Sequence, residues 1–223
     1  MNYWVLFLGI MLASFIVQQV LQSKFRKYSR ELLGNSMTGA EVATKMLHDN
    51  GIYDVKVLPT SGMLTDFYNP TDKTVNLSED VYNSTSVAAA AVAAHECGHA
   101  VQHAKGYAPL KLRSSLVPVV SFANQAVMWV ILLGILMIEI SPALLWVGIA
   151  LFAMTTLFSF ITLPVEINAS QRATAWLESA HITDGETTVM AKDCLKWAAY
   201  TYVVAAISSL ATLLYYIGIA RDR

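Results

Sequence analysis

The chain has 223 residues, of which 55% are hydrophobic and 14% charged, with a mean hydropathy of +0.47 and a net charge of −1. Ordinary soluble domains carry about 25% charged residues, so the deficit points to membrane segments rather than to one large soluble core. The near-zero charge argues against nucleic acid as a partner, and the two cysteines, Cys97 and Cys194, do not make a disulfide framework.

Tyr3 to Val20 is an apolar run without a charge, broken by Ser14, Gln18 and Gln19, and just long enough to cross a bilayer. A signal peptide would place basic residues before such a run. Here Lys24, Arg26, Lys27 and Arg30 follow it, which predicts an uncleaved anchor whose C-terminal end faces the cytoplasm. Residues 23–116 are more polar. Ser36-Met37-Thr38-Gly39 reads as a helix entry, Glu41 to His48 as a short amphipathic helix, and Asn50-Gly51 as its stop. Val55 to Leu58 reads as a strand ended by Pro59. Asn69-Pro70-Thr71-Asp72 reads as a turn and Thr74 to Leu77 as another strand, so a small hairpin or sheet precedes the next helix.

That helix is expected to start with Ser84 or Ser86 as N-cap, to run through the alanine-rich Val87 to Ala94, and to end near Lys105, where Gly106 fits the stop. It carries His95-Glu96-Cys97-Gly98-His99. Residues four apart sit one above the other on a helix face, so His95 and His99 can offer two imidazole nitrogens to one Zn²⁺. Glu96 sits beside them, placed to take a proton from a metal-bound water. The bland alternative is two histidines and a glutamate on a solvated helix face. Cys97 reads as a small packing residue rather than as a ligand or redox group. His103 lies two turns beyond His95, about 12 Å of rise, too far to share its metal. His48 and His181 are isolated.

Two long apolar stretches follow, roughly Val119 to Ile138 and Ala143 to Leu163, joined by Glu139-Ile-Ser-Pro142 as a tight helical hairpin. Ser121, Asn124 and Gln125 are expected to face other helices or a watery cleft. After the polar segment Pro164 to Lys196, a fourth apolar stretch runs from about Trp197 to Ala220. Of the 15 Lys and Arg, ten lie between Lys24 and Arg113, three are Arg172, Lys192 and Lys196, and two are Arg221 and Arg223. Four spans put the first two groups, 13 of the 15, on one side, which the positive-inside rule makes cytoplasmic.

A catalytic zinc takes three protein ligands and keeps one position open, so the motif lacks a partner. Glu166, in Leu163-Pro164-Val165-Glu166-Ile167-Asn168-Ala169-Ser170, is the leading candidate, because the charge count puts it on the same face of the membrane as His95 and His99. Pro164 suits the first turn of a new helix, and a carboxylate there also has a plain reading as a partner of the helix dipole. Glu178 and Glu186 are alternatives with ordinary solvated-surface readings.

Three stretches carry a resemblance: Phe67-Tyr-Asn-Pro-Thr-Asp-Lys-Thr-Val-Asn-Leu-Ser-Glu-Asp80, Ala93-Ala-His-Glu-Cys-Gly-His-Ala-Val-Gln102 and Leu163-Pro-Val-Glu-Ile-Asn-Ala-Ser-Gln-Arg-Ala173. Together they resemble the bacterial neutral zinc metallopeptidases of the YugP type, small integral membrane proteins with a gluzincin-like pattern. The resemblance covers nearly the whole chain. It implies Zn²⁺ ligands at His95, His99 and Glu166, one ion per chain, and a catalytic base at Glu96. It also suggests distant kinship with membrane proteases that process or clear membrane proteins. Those relatives commonly carry an aspartate one turn after the third ligand, where this chain has Ser170.

The expected fold is mainly α, a multi-pass membrane protein of about four transmembrane helices with a small α+β zincin-like catalytic part. The expected division is an anchor at 1–22, a catalytic region at 23–116, a transmembrane hairpin at 117–163, a helical segment with the third ligand at 164–196 and a last transmembrane helix at 197–223. The expected function is zinc-dependent endopeptidase activity on membrane or misfolded proteins. The lipid bilayer and a protein or peptide substrate are the partners, at the cytoplasmic side of the bacterial plasma membrane. An exposed strand of Thr65–Ser78 is a candidate for pairing with the substrate backbone. Tyr68, Tyr82, Tyr107, His103 and Arg172 are candidates for the oxyanion donor. The alternative from another class is a membrane scaffold that holds zinc without turnover. Glu96 stands against it, because a purely structural site has no need of a base. A di-iron bundle would need a second Glu-x-x-His pair, and no histidine follows Glu166 by three.

Overall fold

The computed structural model describes residues 3–62 and 65–221. The ends of the expected first and last segments, Met1, Asn2, Asp222 and Arg223, lie outside the described residues, and so does Arg223 of the charge count. The elements in order are α1 (Tyr3–Tyr28), α2 (Gly39–Asp49), β1 (Lys56–Thr60), β2 (Phe67–Asn69), β3 (Thr74–Ser78), α3 (Glu79–Tyr82), α4 (Val87–Ala104), α5 (Ala108–Leu136), α6 (Pro142–Ser179) and α7 (Gly185–Arg221). Among the described residues four helices, α1, α5, α6 and α7, are long and apolar enough to cross a membrane. The mainly helical, multi-pass architecture with a small sheet is therefore as expected.

The polar part is built on local signals. Thr38 caps α2: its hydroxyl accepts from the Glu41 N–H at 3.3 Å, and the Glu41 carboxylate accepts from the Thr38 N–H at 2.8 Å. This reciprocal box satisfies two of the N–H groups that every helix start leaves over. Gly51 ends the turn after α2 at φ 73°, a left-handed conformation open to glycine. In the three-stranded sheet β3 is central, parallel to β1 and antiparallel to β2. β3 is mostly buried, while β1 and β2 are edges. The expected stop at Pro59 is corrected: β1 continues to Thr60, because an edge strand can turn the nitrogen that lacks a hydrogen away from the ladder. The Asn69 side chain accepts from the N–H groups of Thr71 and Asp72 and so closes the turn between β2 and β3.

α4 is the hub. Ser86 caps it by accepting from the Ala89 N–H, and Gly106, at φ 63°, follows its C-terminus. Its alanines are buried on nearly every side, in one core with Val42, Met46 and Leu47 of α2, Val75 and Leu77 of β3, and Ala173 and Leu177 of α6. Small side chains let these neighbours approach closely, and each removed methylene there would be felt. Gly98 shows the limit, since a Cβ built on it would lie 2.7 Å from the Ala169 carbonyl oxygen of α6.

α5 and α6 form the hairpin expected around Glu139–Pro142, again with a glycine at the crossing: a Cβ on Gly134 would meet the Leu145 backbone at 2.6 Å. Thr156 and Ser209, 2.7 Å apart at their hydroxyls, link α6 to α7. The Asp193 carboxylate of α7 takes a 2.7 Å ion pair from Lys24 and a 2.6 Å hydrogen bond from the Tyr28 hydroxyl, which fastens the end of α1. Ser121, Asn124 and Gln125 are exposed on α5, which speaks against the first of their two expected surroundings, other helices, and not against a watery cleft. One expectation fails here. No new helix starts at Pro164, because α6 runs unbroken from Pro142 to Ser179. Proline removes one backbone bond but its φ is helical, and packing against α4, α5 and α7 holds the helix across the gap.

Candidate metal centre

α4 and α6 cross where Gly98 faces Ala169, and this close approach brings Glu166 over the two histidines. Glu166 Oε2 lies 3.3 Å from His95 Nε2 and 3.5 Å from His99 Nε2. The rings of His95 and His99 are 4.9 Å apart and nearly perpendicular, as expected for residues one turn apart. The three donor atoms all lie within 4.8 Å of one another. Glu178 instead pairs with Lys192, and Glu186 sits exposed in the first turn of α7.

The contacts behind the imidazoles fix which nitrogen each presents. Gln102 Nε2 donates to the Val165 carbonyl at 2.8 Å and to Asn168 Oδ1 at 3.1 Å. A carbonyl only accepts, so the Gln102 oxygen must face His99, and it does, 3.1 Å from Nδ1. Nδ1 of His99 is therefore the donor, and the lone pair of Nε2 points to Glu166. His95 Nδ1 contacts the Ser170 hydroxyl at 3.1 Å, one turn beyond Glu166 on α6. Ser170 thus stands behind His95 at the position where the resemblance implied an aspartate in distant relatives. Such outer partners set ring orientation and ligand basicity.

Two imidazole lone pairs and a carboxylate oxygen packed this tightly repel one another unless a proton or a cation lies between them. Two nitrogens and one oxygen form a donor set that suits Zn²⁺, and the residues present fit the ion. Burial opposes charge on His99, but the carboxylates of Glu166 and Glu96 outweigh it and raise its imidazole above the ordinary range. Glu96 does not join the cluster. Its Oε2 accepts from the Tyr68 N–H of β2 at 3.0 Å, and burial pushes its carboxyl above the usual carboxylate range in spite of the neighbouring histidines. Cys97 turns away, with its thiol on the Ala43 carbonyl at 3.4 Å, and burial drives it well above its ordinary value, as suits a packing residue.

The cluster opens into a cleft of about 700 Å³ whose walls are β2, α4, the start of α5, and Tyr202 of α7. Of the five candidate oxyanion donors, Tyr68 and His103 line it, and they hold each other at 2.8 Å. Tyr107 and Arg172 instead stack on each other, and Tyr82 lies in a separate groove beside α2. Sequence reasoning missed Gln102, Arg113 and Tyr202. Arg113 alone left a signal, as the last cation before the apolar run of α5.

The family described as "Putative neutral zinc metallopeptidase" matches residues 3–221. The chain is 43% identical over 206 residues to "Putative membrane protease YugP" of Bacillus subtilis (strain 168), covering 92% of this chain and 91% of that protein. No solved structure matches it.

Proposed function

The chain belongs to this family of neutral zinc metallopeptidases, and from that premise we propose that it is a zinc-dependent, membrane-embedded endopeptidase hydrolysing peptide bonds of membrane or misfolded proteins. The observation that carries the reading is the convergence of His95, His99 and Glu166 within 4.8 Å, with Glu96 held beside them by the Tyr68 N–H. His95, His99 and Glu166 would hold the ion. Zn²⁺ bound there supplies a Lewis acid that polarises a carbonyl and brings the pKa of water toward about 7. Glu96 takes the proton of the attacking water as oxygen bonds to the carbonyl carbon. It then passes that proton to the amide nitrogen as the C–N bond breaks, and returns to its starting state. The raised carboxyl of Glu96 suits it to this two-way transfer, because a base works best with a pKa near the working pH.

The free edge of β2 faces the cleft and is the surface for strand addition by the substrate. The Tyr68 N–H is engaged by Glu96, so the outer edge offers the Tyr68 carbonyl to a substrate N–H. The charge distribution supports a cytoplasmic site.

Metal analysis of the purified protein is expected to find about one zinc per chain. Glu96→Gln is expected to keep the zinc and lose cleavage of dye-labelled casein, an unfolded test substrate. Glu166→Ala is expected to lose zinc. Iron in pairs, or equal cleavage by wild type and Glu96→Gln, would overturn the reading. Zinc without cleavage by either protein would favour a scaffold.

A further inference from the structure

Arg113 projects into the cleft from the second turn of α5. Its guanidinium lies 3.8 Å from Glu166 Oε1, the carboxylate oxygen that does not face the histidines. That is an ion pair without a hydrogen bond. Arg113 Nε is buried and has no hydrogen-bond partner among the described residues. A guanidinium carries five N–H donors in a rigid fork, and a buried donor left unmatched loses its hydration without replacement. If Arg113 served only to neutralise Glu166, the two would be expected to close into the side-on, bidentate geometry that this pair favours. Tyr68 and Glu96 are already engaged, the Tyr68 hydroxyl with His103 and the Tyr68 N–H with Glu96, and Lys111, another cation lining the cleft, is exposed, whereas Arg113 reaches Glu166. Arg113 is left with free donors beside the ligand carboxylate and directed into the cleft where a substrate would lie.

We propose that Arg113 is a catalytic residue that donates to the reacting carbonyl oxygen of the substrate, so that the charge developing on that oxygen meets a preplaced guanidinium. This deepens the peptidase reading above and rests on it. The Coulomb attraction is weak while the carbonyl is neutral and grows as the oxygen becomes anionic, so the contact favours the transition state over the bound substrate. The charge also has a local balance. Glu166 and Glu96 hold two carboxylates in a cleft at the membrane edge, and Arg113 supplies a cation that no proton transfer can remove.

The test uses the full-length protein in detergent. Arg113→Met is expected to lower kcat on dye-labelled casein by about 100-fold, the usual loss for one oxyanion donor, with KM held within about threefold. Zinc content is expected to stay at the wild-type level. Arg113→Lys keeps the charge without the fork and is expected to fall between the two; it also serves if Arg113→Met does not fold. A binding measurement in the inactive Glu96→Gln background is independent of turnover. There Arg113→Met is expected to weaken binding of the anionic mimic N-phosphoryl-Leu-Trp by at least about 30-fold, and that of N-acetyl-Leu-Trp by less than about threefold. Loss of zinc in step with kcat would reduce Arg113 to a prop for Glu166 and overturn the proposal, as would unchanged kcat or equal weakening of both probes. If wild type cleaves nothing, the peptidase reading falls, and the two probes still decide the role of Arg113.

Discussion

A single amide decides which nitrogen of His99 faces the cleft. Gln102 is fully buried, its nitrogen is anchored on the Val165 carbonyl, and its oxygen takes the proton of His99 Nδ1. Gln102→Leu keeps the volume but releases both constraints. It is expected to weaken zinc binding by about 10–100-fold in a chelator competition, with the folded protein retained, since outer partners of metal ligands typically have effects of this size. Unchanged affinity would mean that packing alone orients the ring. The same contrast shows what could be read from the chain. His95, Glu96 and His99 were legible because their spacing lies within one helix, where geometry follows directly from sequence separation. Glu166 emerged only through the charge count and the family resemblance. Gln102, Ser170 and Arg113 act across helices, and no periodicity records the register between two helices that are distant in the chain.

The elements repeat that division. Caps and turns were legible, Thr38 with Glu41 above all, because the partners are three residues apart. Pro59 and Pro164 were misread, because local propensity was overruled by position: the first lies on a sheet edge, the second in a helix packed on several sides. The capping box yields a pH dependence with a definite sign. Backbone and side-chain hydrogen bonds from Thr38 hold the Glu41 carboxyl below its ordinary value near 4.5. Its contribution to stability is therefore complete above that pH and is lost as the pH falls through the lowered value. The melting temperature of wild type is expected to exceed that of Glu41→Gln at neutral pH, and the gap to close below about pH 4. A gap that stays constant with pH would show that the charge of Glu41 is not what stabilises the cap.

At the scale of the molecule, the hydrophobic runs and the charge count prescribe an arrangement that labelling can check. The native thiols Cys97 and Cys194 are 0% and 2% exposed, so they leave a quiet background for introduced cysteines. Ile140, 80% exposed in the hairpin loop between α5 and α6, is expected as Ile140→Cys to react with a membrane-impermeant maleimide in intact spheroplasts. Lys73→Cys, beside the sheet, is expected to react only after permeabilisation. The reverse pattern would place the metal centre on the outer face. One further consequence follows from the uninterrupted course of α6. Its 38 residues form a rod of about 57 Å, embedded in lipid over its first part and carrying Glu166 and Ser170 beyond it. His95 and His99 sit on α4, which is too short to share that anchoring. Bilayer thickness would thus act on the cluster through a lever: hydrophobic mismatch that tilts the rod would move Glu166 against His95 and His99, at a fraction of a kcal/mol per Å. Zinc affinity in liposomes with acyl chains of about 14, 18 and 22 carbons is expected to peak at one length, which makes the membrane a mechanical setting for the metal centre.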